Sequence, residues 1–410
     1  MISLLSHRNF RLLWLGQLCS QCGDRLTQLV LVALVACRAA GSTLGLAKVL
    51  VVTSLPALLL NPFAGAFVDR WDRKRTMILC DLIRAGAILT LPSLVLLPNE
   101  IPFYLGVFLV FAVGSFFIPA RLAMIPDLAP AGQLAKANAL FTASGMIGST
   151  LILIVGAFLV EWIGAARSSW LNAASYLCSA VFILPILRKD HRHRKVSRES
   201  PRKISSEIAE GVRELWRHQE TRRVAGLLGF LMAGAGASVV VATVLVQQSL
   251  GSVTKDLGFL SLWLGIGMLI GSTVYGRWGI RLPRRLVLGL AFSVCGFALW
   301  GFVWAVLGLK SGVGASIAAA FLGLGVIPVS IVVNTLVHEA HPERLHGRIF
   351  SSLGIVINVA WIGSMLAAGW LAERGGRGFL LSGIGAAFTL SGLRLLFVRH
   401  FPKEDEKSWE

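Results

Sequence analysis

Apolar runs of about twenty residues recur along the whole of this 410-residue chain, and each is long enough to cross the hydrocarbon of a bilayer as a helix. Backbone in lipid must satisfy its own hydrogen bonds, so such runs predict helices. They are too long and too uniform for the alternating strands of a membrane barrel. Composition agrees, with 55% hydrophobic and 15% charged residues. The formal charge of +18 does not point to nucleic acid, because the basic residues sit between the apolar runs.

The spans are predicted near 12–37, 45–68, 76–98, 102–120, 138–160, 168–187, 224–248, 257–276, 286–308, 312–334, 349–371 and 378–397. The expected fold class is an all-α integral membrane protein of twelve transmembrane helices in two pseudo-symmetric six-helix bundles. The bundles would occupy residues 1–187 and 224–398, with a linker at 188–223 and a cytoplasmic tail at 399–410. The halves echo each other at a separation of about 210 residues. "FVDRW" at 67–71 matches "VYGRW" at 274–278, Ile118-Pro119 matches Ile327-Pro328, and "LVEWIG" matches "LAERGG".

Placing the N-terminus in the cytoplasm puts most of the 39 Lys and Arg on the cytoplasmic side, as the positive-inside rule requires. Arg8 and Arg11 precede a first run too long for a signal peptide, so that span is expected to stay in the protein. The expected location is a bacterial inner (plasma) membrane, multi-pass, with both termini cytoplasmic. The linker carries 12 Lys and Arg against 6 Asp and Glu. Within it Ile204, Ile208, Val212, Leu215 and Trp216 trace one apolar face, which predicts an interfacial helix beside anionic membrane lipids.

The first span contains "GQLCSQCGDRLTQ". Gln17, Gln21, Asp24 and Gln28 recur on one helical face. Asp24 lies about 18 Å along the axis from Leu12, near mid-membrane. A carboxylate there costs about 2.5–3.5 kcal/mol on insertion scales, so the stripe must face protein or water. One reading makes Asp24 a proton or cation-substrate site; the other makes it a static contact between helices. Arg25 points about 100° away, either toward Asp81 or toward an anionic substrate group. Asp81 and Arg84, three residues apart, are expected to pair. Asn61, Asn172, Tyr176, Gln247, Gln248, Asn334 and Asn358 are further candidates for cavity walls or for helix-packing hydrogen bonds. Cys19 and Cys22 form a CxxC whose helical spacing suits packing.

Between the second and third spans lies "GAFVDRWDRKR". Topology accounts for its basic residues but not for Asp69 and Asp72. On these residues the chain resembles a major facilitator superfamily transporter over nearly its whole length. The loop is similar to that family's Gly-x-x-x-Asp-Arg signature, matched by Gly65, Asp69, Arg70, Arg73 and Lys74. The resemblance implies a cytoplasmic gate in which Asp69 engages Arg121 at the end of span four and the start of span eleven, where Arg348 lies. Asp72 stands where the family has a glycine, and the second half carries Gly276 at the acidic position. "PARLAMIPDLAPAGQLAKANAL" and "HPERLHGRIFSSLG" resemble the bacterial enterobactin and macrolide exporter subgroup. Gly145, Gly148 and Gly156 partly match the glycine-rich motif of antiporters and suit close packing.

No metalloprotease, phosphate-loop or nucleophile-elbow pattern occurs, so no enzyme activity, cofactor or metal is expected. His338, His341 and His346 read as part of a charged loop. The expected function is proton-coupled efflux of an amphipathic small molecule, drug or siderophore-like, by a monomer using alternating access. The alternatives are a lysophospholipid or lipid flippase and a non-transporting membrane receptor or assembly factor.

Overall fold

The computed structural model describes residues 2–130, 132–187, 213, 217, 219–340 and 343–397. The linker face, His341 and the 399–410 tail lie outside the described residues, and Arg348 lies outside the described side chains. The secondary-structure elements among the described residues are all helical, and the chain forms two compact units. The first holds α1 (Ile2–Leu5), α2 (Arg8–Arg38), α3 (Thr43–Leu59), α4 (Asn61–Val68), α5 (Arg73–Leu94), α6 (Ile101–Leu128), α7 (Leu134–Ile163) and α8 (Ala165–Ile183), together with the segment Gly251–Gly258. The second holds α9 (Gln219–Leu250), most of α10 (Lys255–Arg277), α11 (Arg284–Val303), α12 (Gly312–Ala340), α13 (Glu343–Gly375) and α14 (Arg377–Phe397).

The expectation of twelve spans in two six-helix bundles is corrected. Nine helices among the described residues are long and apolar enough to cross a membrane. They do not divide six and six: α5, α6 and α7 lie in the first unit, and α10 begins there but continues in the second. Three predicted spans fall short for physical reasons. α2 carries Asp24 and Arg25 among the polar Gln17, Ser20, Gln21, Thr27 and Gln28, which lower the hydropathy of the run. The apolar run at 45–68 breaks at Leu60 into helices of 17 and 8 residues, with Pro56 and Pro62 flanking the break. α8 has 19 residues, with Arg167, Asn172 and four serines among them.

Capping side chains and glycines set the ends of several helices. Ser42 caps α3 by accepting from the Gly45 amide at 2.9 Å. Asp72 caps α5 by accepting from the Arg75 amide at 2.8 Å, so the acid that replaces the family's glycine starts a helix. The "LVEWIG"/"LAERGG" echo becomes one kind of turn. Gly164 alone joins α7 to α8 at φ 84°, and Gly376 alone joins α13 to α14 at φ 85°. L side chains rarely adopt that conformation. α6 does not stop at Pro119 but runs on to Leu128.

The core of the first unit lies among α2, α5, α6, α7 and α8, where Phe10, Leu13, Met77, Met124, Phe141 and Ile183 cluster. In the second unit Phe230, Phe292 and Phe388 form a triangle with centroids 5.2–5.8 Å apart. Glycines set the closest approach there. Gly289 and Gly296 of α11 face Gly392 and Gly385 of α14. A Cβ on Gly296 would stand 2.5 Å from the Gly385 carbonyl oxygen, and one on Gly392 2.6 Å from that of Gly289. Contact of this kind holds helices together where lipid offers no hydrophobic drive between them.

Candidate functional site

The polar stripe on α2 divides between two environments. Asp24 turns toward α5 and α8, where it forms an ion pair with Arg84 and accepts a hydrogen bond from the Tyr176 hydroxyl at 3.1 Å. The Arg84 guanidinium also lies 3.6 Å from Asp81 one turn back on α5. It donates to the Ser20 hydroxyl at 3.4 Å, and Ser20 donates to Asp81 at 3.1 Å. The guanidinium carbon sits 4.3 Å from the centroid of the Tyr176 ring, a cation–π contact in a desolvated setting. Behind it, the Tyr176 hydroxyl is 3.0 Å from that of Thr27, which is 2.8 Å from the Asn172 amide.

Burial grades this network. Asp81, Asn172 and Tyr176 are fully buried and Arg84 nearly so, whereas the Asp24 side chain is 43% exposed. One cation therefore stands between two carboxylates, only one of which reaches accessible surface. Two close charges at an effective dielectric near 20 interact by about 4 kcal/mol, so losing either partner shifts the balance of the other two groups. Gly23 makes room for this arrangement: a Cβ there would stand 2.7 Å from the Tyr176 ring.

The other part of the stripe lines a cavity of about 590 Å³ in the first unit. Gln17, Gln21 and Arg25 come from α2, Arg121, Leu122 and Ile125 from α6, and Asn138, Phe141, Thr142, Gly145, Met146, Ser149 and Thr150 from α7. Arg25, and not Asp24, stands on this wall. The Gln17 amide donates to the Phe141 carbonyl at 3.3 Å, and Arg25 donates to Gln28 at 3.2 Å. Gly145 lets Gln21 approach α7, with a Cβ there 3.0 Å from its amide nitrogen.

The loop at 65–75 does not bring its acid to Arg121. Among the described residues Asp69 has no ion pair within 4.0 Å. Arg73 instead pairs with Asp127 at 2.9 Å and donates to the Ala123 carbonyl at 2.8 Å. Lys74 donates to the Ile186 carbonyl at 3.1 Å. Arg70 is exposed, and a Cβ on Gly65 would meet nothing within 4 Å. Of the remaining candidates, Asn61 and Asn334 are exposed, Gln247 is partly buried, and Asn358 donates within its own helix to Gly354 at 2.8 Å. Gln248 accepts from Arg377. Cys19 of the CxxC faces Cys178 of α8 at 3.6 Å.

The Asp24–Arg84 pair could not be read from spacing, because it joins helices 60 residues apart through their rotation about their axes. From sequence alone Gly145 reads as packing and Asn138, Thr142 and Ser149 are passed over, although the four follow each other on α7 at steps of four, three and four.

An all-helical multi-pass membrane protein with paired charges in its interior and a polar cavity between helices has the make-up of a membrane transporter. The profile of the Major Facilitator Superfamily matches residues 13–365, and the chain belongs to that family. It is a secondary transporter, of a family not known to catalyse chemical reactions. It is 28% identical over 327 residues to "Putative bacilysin exporter BacE" of Bacillus subtilis (strain 168), covering 77% of each chain. To "Macrolide efflux protein A" of Streptococcus pyogenes it is 27% identical over 374 residues, covering 88% of each. Its fold superposes on the nucleoside transporter NupG with a TM-score of 0.73 at 11% identity, covering 95% of this chain and 100% of the other. With the peptide transporter POT in complex with sulfate the TM-score is 0.70 at 13% identity, covering 95% and 94%.

Proposed function

We propose that this transporter exports an amphipathic small molecule from the cytoplasm across a bacterial inner membrane, driven by protons and using alternating access. The observation that carries the reading is the Asp24–Arg84–Asp81 network. With all three groups ionised it bears one net negative charge, so a single proton neutralises it. Protonation of Asp24, the exposed acid, would end its pairing with Arg84. Arg84 would then be held by Asp81, Ser20 and the Tyr176 ring, and α2 would lose its charged tie to α5. Such a tie, made and broken by one proton, is what coupling to helix movement requires.

The direction of transport and the placing of the chain with the enterobactin and macrolide exporters rest on similarity to a bacilysin exporter and a macrolide efflux protein. The 65–75 loop is assigned a cytoplasmic gating part through Asp69 and Arg70, with Arg73 and Lys74 anchoring it to α6 and to the end of α8.

The test is transport in proteoliposomes under an imposed pH gradient, with a macrolide and an amphipathic dipeptide as probes. Wild type is expected to move at least one probe faster with the gradient than without it. Asp24→Asn is expected to lose that acceleration while still exchanging the probe at equilibrium. Gradient-driven transport that is unchanged in Asp24→Asn would sink the proton-site assignment.

A further inference from the structure

The network above uses Asp24, Arg84 and Asp81, but not the two arginines that enter the 590 Å³ cavity. Arg25 and Arg121 reach it from α2 and α6, and no acidic side chain is on its wall. Among the described residues neither arginine has a carboxylate within 4.0 Å. The Arg121 Nε atom is buried without a hydrogen-bond partner, and so are the Oε1 atoms of Gln17 and Gln21. Gln17 itself is 1% exposed. Buried polar atoms are nearly always satisfied, and leaving one unpaired is costly. Two guanidinium groups on a cavity wall that carries no acid are complementary to an anion that is not part of the chain.

The chemistry of the wall defines that molecule. A guanidinium is a planar fork of donors that matches a carboxylate or a phosphate. Leu122, Ile125, Phe141 and Met146 supply an apolar surface on the same wall. Gln17 and Arg25 are eight residues apart on α2, about 12 Å along the helix, a length suited to a small extended molecule.

We infer that the cavity is a binding site for an organic anion, in which Arg121 and Arg25 hold a carboxylate or phosphate and α6 and α7 cover its apolar part. This deepens the export reading by naming the substrate class, and rests on that reading only for calling the ligand a substrate. It also gives Arg121 a role in binding instead of pairing with Asp69.

The test is equilibrium binding to the full chain in nanodiscs with no gradient, so its outcome is independent of proton coupling. Three probes are compared: alanyl-phenylalanine, its C-terminal amide, and lysophosphatidylglycerol. One of the two anions is expected to bind, the dipeptide marking a carboxylate substrate and the lysolipid a phosphate headgroup. The amide is expected to bind at least tenfold more weakly than the dipeptide acid if the carboxylate is the ligand. Arg121→Gln should weaken the bound anion at least tenfold and Arg121→Lys less. Arg25→Gln provides a second variant should Arg121→Gln not fold. Failure of both anions to bind overturns the site. So does equal affinity of the binding dipeptide acid and its amide, or an affinity untouched in both Arg121→Gln and Arg25→Gln. If binding follows the expected order while Asp24→Asn transport stays gradient-driven, the site stands and the proton assignment falls.

Discussion

Arg84 is the residue on which the interior of the first unit turns. It is nearly buried, faces Asp24 and Asp81, and stacks on Tyr176. Removing one partner of a buried ion pair costs about 3–5 kcal/mol, because the charge left behind stays buried without compensation. Arg84→Ala is therefore expected to lower the midpoint of thermal unfolding in detergent strongly. Adding Asp81→Asn to it should restore part of the loss, since the double variant no longer buries an unpaired carboxylate. No recovery in the double variant would mean that Arg84 acts by packing on Tyr176 and Phe117 rather than by charge. The sequence showed both Asp24 as an acid in an apolar run and Asp81 and Arg84 as an i,i+3 pair. It could not show that one guanidinium serves both acids, since that depends on which faces of α2 and α5 meet.

At the scale of elements, hydropathy located the helices well and described their environment less well. It put spans at 45–68 and 168–187, where the chain instead forms a broken pair, α3 and α4, and the short polar helix α8. Asn172, Tyr176 and Ser179 are buried in this structure, so protein partners, and not lipid, receive much of the polar surface of α8. The glycines are a sharper case. They are numerous in the sequence, but only contact distances separate those that matter. Gly296→Ala is expected to destabilise the second unit by about 1–3 kcal/mol, the range for overpacking a tight contact, because its Cβ would meet the α14 backbone. Gly383→Ala on α14 has open space around it and should be neutral or slightly stabilising. Thermal unfolding of the two variants side by side checks this; equal effects would remove the α11–α14 contact as the cause.

For the whole molecule, orientation is the property set by charge distribution, and it is testable at the two ends of α5. The loop holding Trp71 is expected in the cytoplasm and the turn holding Leu96 outside. Both side chains are exposed. A membrane-impermeant maleimide should label Leu96→Cys on intact cells above the wild-type background, and Trp71→Cys only after permeabilisation. The opposite pattern would invert the topology. The sequence by itself determined that the chain is a helical membrane protein, where its helices lie, and the family signature in its loop. Those are local properties, set by the apolar content of each run and by residues adjacent in the chain. Only the tertiary structure decided that Asp24 turns to Arg84 while Arg25 turns to the cavity, and that Arg121 joins Arg25 instead of Asp69. Such pairings depend on the rotation of each helix against its neighbours. Packing sets that rotation through glycines and buried side chains far apart in sequence.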